Sequence, residues 1–338
     1  MMLKVGIIGA TGYAGEELIK ILLHHPQVKI ALLQAVVKED ILIQDFFKGL
    51  QGKINLLCTN LNLEQVILET DLIFLALPHK ASMEIAHLLL KHKKKVIDLS
   101  ADFRLKDTSI YEEWYQTKHT CPQLVRETVY GLPELYRNFI KKATLIANPG
   151  CYPTSIILGL APLIKHQKID LNNIIIDSKS GVTGAGRTPT HTTHFPNCSE
   201  NFFAYKMFNH RHTPEIEQEL SFLAFKEVNI TFIPHLLPIN RGILSSIYVD
   251  LKDSLNQDQL LAIYHDFYQD EPFVRLLKDT SPQIKDVIYT NFCDLSVFVN
   301  NKKALIVSCL DNLIKGASGQ AVQNMNIMFD FEEKLALW

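Results

Sequence analysis

Apolar and polar positions in the first half of the chain switch between two periods, and each switch predicts an element boundary. Residues 3–8, L-K-V-G-I-I, read as a short buried strand. The turn G-A-T-G-Y-A-G follows, then E-E-L-I-K-I-L-L-H-H, whose apolar positions fall at helical spacing. V-K-I-A-L-L-Q-A-V-V (28–37), D-L-I-F-L-A-L-P (71–78) and K-V-I-D-L-S (95–100) are further strand candidates, the last two separated by the helical A-S-M-E-I-A-H-L-L-L-K-H. Strands alternating with helices predict an α/β fold with a parallel, doubly wound sheet. In the second half, P-T-S-I-I-L-G-L-A-P-L-I (153–164) reads as a helix and N-I-I-I-D-S-K (173–179) as a strand. A further helix follows H-R-H-T-P, with Thr213 as a candidate cap and Pro214 at its first position.

The chain has 338 residues, long for one hydrophobic core and suited to two domains. Hydrophobic residues at 47% and charged residues at 21% are ordinary for a globular protein. A net charge of −2 provides no global field for nucleic acid or an anionic membrane. The basic run K-H-K-K-K (91–95) reads as a solvated helix end. Cys58, Cys121, Cys151, Cys198, Cys293 and Cys309 contain no C-x-x-C pair, so free thiols in a reducing cytoplasm are expected. The chain goes straight into a strand without a signal-peptide pattern, and no apolar run approaches the ~20 residues of a membrane span.

Gly9, Gly12 and Gly15 carry the first candidate chemistry. They permit a tight turn, a close approach of diphosphate to backbone, and close helix–strand packing. The spacing is G-x-x-G-x-x-G, and its place between the first strand and a helix points to a dinucleotide. Gln34 stands where a ribose-binding carboxylate is expected, which favours a 2′-phosphate and hence NADP. Lys38 is the only nearby cation, readable equally as an exposed loop lysine.

The stretch A-N-P-G-C-Y-P-T-S (147–155) puts Cys151 just before a predicted helix, where unpaired N–H groups and the dipole favour a thiolate. That is the arrangement of a nucleophile. His210 and His212 flank Arg211 before another helix and are the acid/base candidates. His191 and His194 suggest a metal pair, but no nearby ligand set completes it, and no metal is expected. S-G-V-T-G-A-G-R (180–187) is a second glycine turn ending in Arg187, able to approach a flat ring or to remain a mobile loop. In D-L-S-A-D-F-R (98–104), Arg104 offers a planar fork for phosphate or carboxylate, or a surface salt bridge.

Taken in order, G-A-T-G-Y-A-G, D-L-S-A-D-F-R, Y-G-L-P-E (130–134), N-P-G-C-Y-P-T, S-G-V-T-G-A-G-R, H-R-H-T-P-E-I, P-H-L-L-P-I-N-R-G (234–242) and D-N-L-I-K-G-A-S-G-Q-A-V-Q-N-M-N (311–326) span nearly the whole chain. The chain resembles the N-acetyl-gamma-glutamyl-phosphate reductase family, relatives of aspartate-semialdehyde dehydrogenase in arginine biosynthesis. The resemblance implies a Rossmann domain over 1–149, completed by a C-terminal helix within 313–338 that starts near Gly316. It implies an α/β catalytic domain with a mostly antiparallel sheet over 150–312, joining a homodimer or homotetramer. The implied reaction is NADPH-dependent reduction of a small acyl phosphate to the semialdehyde through a thioester on Cys151. His210 is the preferred acid/base, with His212 beside it. Arg104, Arg187, Arg211 and Arg241 are implied substrate contacts. Thr11, Gly12, Tyr13, Ala14 and the flanking Gly9 and Gly15, with Pro78, Ser100, Gly181, Gly184 and Asn312, are implied cofactor contacts. One segment departs from the resemblance: Q-A-V-V-K-E-D (34–40) stands where relatives often carry a Ser-Arg pair. An aspartyl or carrier-bound aminoadipyl phosphate is the rival substrate, and a nucleotide-binding regulator the rival without catalysis.

Overall fold

The structure, a computed structural model, describes residues 2–337. The chain forms two compact units, one from the N-terminus to Pro149 and again from Ala317 onward, the other Gly150–Gly316. The second unit therefore runs past residue 312, the boundary expected from the sequence.

The first unit is built on eight strands: β1 (Leu3–Ile8), β2 (Val28–Gln34), β3 (Ile41–Leu42), β4 (Leu57–Thr59), β5 (Leu72–Leu75), β6 (Lys95–Asp98), β7 (Val129–Tyr130) and β8 (Leu145–Ala147). Their order is β3-β4-β2-β1-β5-β6-β8-β7, parallel throughout except for the β3–β4 pair. All four residues of β5 are buried, the mark of a strand covered on both faces. β2 ends at Gln34 rather than at 37, because the Gln34 carbonyl turns aside to accept the N–H groups of Gly9 (2.7 Å) and Ala10 (3.1 Å).

The chain re-enters this unit through the helix Gly319–Met328, preceded by a π-helical turn over Ile314–Ser318. Every residue of that helix is buried although four of the ten are polar. Burial of amides is tolerable only when they are paired. Asn324 Nδ2 donates to Gly131 O (2.8 Å) and to Asn148 Oδ1 (3.1 Å), Asn326 Oδ1 lies 3.0 Å from His25 Nε2, and Gln323 Nε2 donates to Glu333 Oε1 (2.7 Å). Arg137 holds Glu333 with both ends of its fork, at 3.0 Å each.

The second unit holds β9 (Ile169–Gly181), β10 (Phe203–Ala204), β11 (Thr231–Leu237), β12 (Ile243–Leu251), β13 (Val274–Leu276), β14 (Cys293–Asn300) and β15 (Lys303–Leu310). The order is β10-β11-β9-β12-β15-β14-β13, antiparallel except for β11–β9 and β13–β14. Period-two alternation gives the sheet two characters. Ile176, Ile247, Ile306 and Val297 stand in register across four strands, fully buried, and Ile247 packs against Gly159 of the helix Cys151–Lys165. Ile175, Tyr248, Leu305 and Phe298 form the adjacent row on the opposite face, where Ile175 and Tyr248 are 42% and 46% exposed. Hydroxyls set the register between helix and sheet: Ser155 Oγ lies 2.9 Å from the Oγ atoms of both Ser245 and Ser308, and Ser245 Oγ lies 2.8 Å from that of Ser178.

Replacing Asn324 with Ala leaves the carbonyl of Gly131 and the side-chain oxygen of Asn148 without this donor inside the fold. The expected loss is about 1–3 kcal/mol of unfolding free energy, read as a lower urea midpoint with unchanged slope; an unshifted midpoint would show that the amide does not anchor the returning helix.

Candidate active site

In the first unit, Gly9 has φ +96°, and a Cβ there would stand 2.2 Å from Ala76 O. A Cβ on Gly15 would stand 2.4 Å from Gly9 O, so the turn closes only with glycine at both ends. Gly12 occupies the N-cap of the helix Tyr13–Leu22, with no side-chain cap. The first-turn N–H groups of a helix lack intrahelical acceptors, and their partial positive charge suits a diphosphate. Thr11, Tyr13 and Ala14 lie in this turn, and Ser318 Oγ, from the returning segment, donates to Ala14 O at 2.9 Å. The geometry therefore fits a dinucleotide.

The loop after β6 is tied by buried carboxylates. Asp98 accepts the N–H (3.0 Å) and hydroxyl (2.7 Å) of Ser100. Asp102 accepts the N–H groups of Lys80 (2.6 Å) and Ser82 (2.9 Å) and the hydroxyl of Tyr111 (2.8 Å). Burial, then the neighbouring Asp102 charge, raises the Asp98 carboxyl above its usual range. Ser100 is thus buried as part of this knot, while Pro78 is exposed at the end of the β5 loop. Arg104, which the sequence offers as a ligand fork or a surface salt bridge, is buried; its Nε donates to Asn148 O and one Nη to Leu99 O, both at 2.8 Å. Those two donors hold backbone rather than ligand or a surface carboxylate.

In the second unit, Cys151 is the first residue of its helix, with Gly150 rather than Cys151 at the N-cap. Cys151 is half-buried, whereas the other five cysteines are buried. A Cβ on Gly150 would stand 2.6 Å from His212 Nε2, and one on Gly316 would stand 2.8 Å from Cys151 Cβ. Both glycines are therefore required by close approach, and the imidazole of His212 lies directly against the residue preceding the thiol. The Gly150 N–H donates to Glu215 Oε1 at 2.8 Å, and Glu215 is buried.

His210 is placed differently. Its Nδ1 accepts the His212 N–H at 3.1 Å, and its ring is enclosed by Tyr152, Tyr205, Phe232 and His212, with centroids 4.9–5.7 Å away. Burial first, then the charges of Lys206 and Arg211, lower its pKa to about 3. His212, not Thr213, precedes the helix Thr213–Ala224, and no side chain caps it, so the expected Thr213 cap is absent. Burial also pushes up the phenols of Tyr152 and Tyr205, the latter to about 12, and their oxygens meet at 3.0 Å.

The remaining candidates separate into two groups. Asn312 joins two turns: its Oδ1 accepts the Gly242 N–H (2.8 Å) and its Nδ2 donates to Thr183 Oγ1 (3.0 Å), beside Gly184. Gly181 packs against the backbone of Asn240 and Arg241. Arg241 lies over the Tyr289 ring at 4.6 Å and reaches Asp311 Oδ2 at 3.4 Å. Arg187 is exposed in the loop beyond, and Arg211 is half-buried between the two histidines in sequence. Among the described residues no group of three or more His, Cys, Asp or Glu side chains forms a metal cluster, His191 and His194 included. Sequence reasoning missed Glu215, Asp311 and Gly316. Glu215 lies inside H-R-H-T-P-E-I, where it reads as a first-turn helix acid, and Gly316 was noted only as a helix start.

Comparison with known proteins matches two successive segments of the chain. A family model described as "Semialdehyde dehydrogenase, NAD binding domain" matches residues 4–143, and one described as "Semialdehyde dehydrogenase, dimerisation domain" matches 151–312. Proteins named N-acetyl-gamma-glutamyl-phosphate reductase from Clostridium beijerinckii and Desulforamulus reducens are 52% and 49% identical, covering 98% and 99% of this chain and 97% and 98% of theirs. Among solved structures, aspartate semialdehyde dehydrogenase II of Vibrio cholerae superposes with a TM-score of 0.73 at 16% identity, covering 98% of this chain and 99% of its own. The Candida albicans aspartate semialdehyde dehydrogenase with NADP gives 0.72 at 14%, covering 97% and 99%. The solved structures share the fold, and the sequence relatives, about half identical over nearly the whole of both chains, place the chain in the N-acetyl-gamma-glutamyl-phosphate reductase family.

Proposed function

We propose that this protein reduces N-acetyl-L-glutamyl 5-phosphate to N-acetyl-L-glutamate 5-semialdehyde in arginine biosynthesis, with Cys151 as nucleophile and His212 as acid/base. The observation that carries the mechanism is the thiol at a helix N-terminus with an imidazole nitrogen packed against the preceding glycine. The aspartyl relatives, at 14–16% identity, share the fold alone.

The helix dipole and its first-turn N–H groups favour the thiolate of Cys151. The thiolate attacks the acyl carbon, the carbon–oxygen bond to phosphate breaks, and phosphate leaves. A nicotinamide cofactor, when bound, would supply the hydride that reduces the resulting thioester. His212, protonated, gives a proton to the oxygen of the reduced thioester, completing the thiohemiacetal, and takes it back as the carbon–sulfur bond breaks and the thiolate is restored. NADPH is the proposed reductant, because no carboxylate stands at the end of β2 to receive a 2′-hydroxyl.

His212 rather than His210 takes this role for two reasons. The Nδ1 of His210 already accepts a backbone N–H, and a pKa near 3 leaves it neutral and a weak base at working pH. His210 instead orients the backbone of His212. Glu215 holds Gly150, and Arg104 holds the carbonyl of Asn148, three residues before the thiol. Arg187, Arg211 and Arg241 remain the proposed cations for phosphate and carboxylate.

The open row Ile175–Tyr248–Leu305–Phe298 is the proposed interface with a second copy. It lies within the segment matched to a dimerisation domain, and an apolar row at this exposure is suited to a like surface. Tyr248→Asp should shift the sedimentation of the purified protein to the monomer. An unchanged mass would move the interface elsewhere.

The activity is tested in reverse: N-acetylglutamate 5-semialdehyde, phosphate and NADP should yield phosphate-dependent reduced nicotinamide. Cys151→Ala should abolish it while the protein still binds cofactor; retained turnover would remove the thiol from the mechanism. His212→Asn should lower kcat by roughly 10²–10⁴-fold, the usual scale for an acid/base, and erase the acid limb of the pH profile. His210→Asn, which keeps an acceptor for the His212 N–H, should retain that limb, since a group neutral down to about pH 3 does not titrate there. Loss of the limb in His210→Asn would reverse the assignment.

A further inference from the structure

The end of β2 is fixed at three points. Its Gln34 carbonyl takes the N–H groups of the nucleotide turn, at Gly9 and Ala10. The Gln34 amide clamps Asn62, accepting its N–H at 3.2 Å and donating to its carbonyl at 3.5 Å. The Asn60 amide clamps Val37 in the same way, accepting its N–H at 3.2 Å and donating to its carbonyl at 2.9 Å. Between these points Val36 is 98% exposed. A backbone pinned on both sides of an exposed valine holds that apolar side chain in a preset position, which lowers the ordering cost of a ligand that lands on it.

Charge around the platform is sparse. Across 35–42, A-V-V-K-E-D-I-L, Lys38 is the only base. Lys38 is exposed and, among the described residues, makes no salt bridge. Glu39 and Asp40 follow it, and Asp40 sits close enough to β4 for its charge, after burial, to help raise the Cys58 thiol to about 11. Both ends of the Gln34 and Asn60 amides are engaged with backbone, so neither is left as a dedicated acceptor for a ribose hydroxyl pair.

We propose that Val36 and Lys38 determine cofactor specificity, Val36 as the platform for the adenine ring and Lys38 as the cation that reads a 2′-phosphate on the adjoining ribose. The inference rests on the reading of the Gly9–Gly15 turn as a dinucleotide site and assigns to a valine and one lysine the position where relatives often carry a Ser-Arg pair. One cation followed by two acids makes the preference for the phosphorylated cofactor moderate and sensitive to salt.

The test is binding alone. The full-length protein is titrated with NADPH and with NADH by nicotinamide fluorescence, without substrate, at low and high salt. Lys38→Met should weaken NADPH about tenfold, the scale of one charge-assisted hydrogen bond, and leave NADH within about twofold. Val36→Asp, which adds the missing carboxylate, should reverse the preference. Asn60→Ala, which loosens the platform, should weaken both forms by the same factor. If Lys38→Met changes neither form, or both equally, the assignment is overturned while the dinucleotide reading stands. If the unaltered protein binds neither form, the dinucleotide reading falls and this proposal with it.

Discussion

The absence of a side chain at Gly150 is the constraint on which the candidate site depends. An imidazole nitrogen occupies the space a Cβ would need, and the Gly150 N–H is held by the buried Glu215. The Gly150 carbonyl accepts both the N–H and the hydroxyl of Thr154 at 3.0 Å, which starts the helix at Cys151. Gly316 closes on the Cβ of Cys151. Thiol, imidazole and carboxylate are therefore placed by one turn, and any side chain at that glycine separates the first two. Two residues earlier, Asn148 is held through its carbonyl by Arg104 and through its amide by Asn324 and Ala317.

Polar burial in this protein serves the loops. Asp98, Asp102, Arg104, Asp311 and Asn312 all lie inside the fold, and each hydrogen-bonds turn backbone or a turn side chain. Such groups are costly to bury and costlier to leave unpaired, so a loop that satisfies them has few alternative conformations. Asp311 shows the economy of the device. One oxygen accepts the N–H groups of Leu313 and Ile314, and the other accepts Tyr289 N–H and faces Arg241. The π-helical turn that presents Gly316 to the thiol begins from this carboxylate.

Legibility followed the range of the forces involved. The strand–turn–helix of the nucleotide half is written in local periodicity and in glycines that no other residue replaces, as at Gly9. Cys151 was legible because a Pro-Gly turn before an apolar run marks a helix start. The division of labour between His210 and His212 was not. Two residues apart in one turn, they differ only in what surrounds them: one is walled in by Tyr152, Tyr205 and Phe232, which arrive from other elements, and the other meets Gly150. The hold of Arg104 on two carbonyls was not legible for the same reason, since a guanidinium fits a phosphate and two carbonyls equally well, and only the folded chain decides which its donors meet.

By itself, then, the sequence determined the doubly wound half, the family, and the places of the thiol and the pair of histidines from which the proposed nucleophile and acid/base are drawn. Those features depend on spacing within a few residues or on motifs kept in order. The tertiary structure alone decided the enclosure of His210, the hold of Glu215 on Gly150, the inward turn of Arg104 and the apolar row across four strands. Each depends on residues 40 or more positions apart, or on a register between strands, and neither period nor propensity encodes which distant group fills a given space.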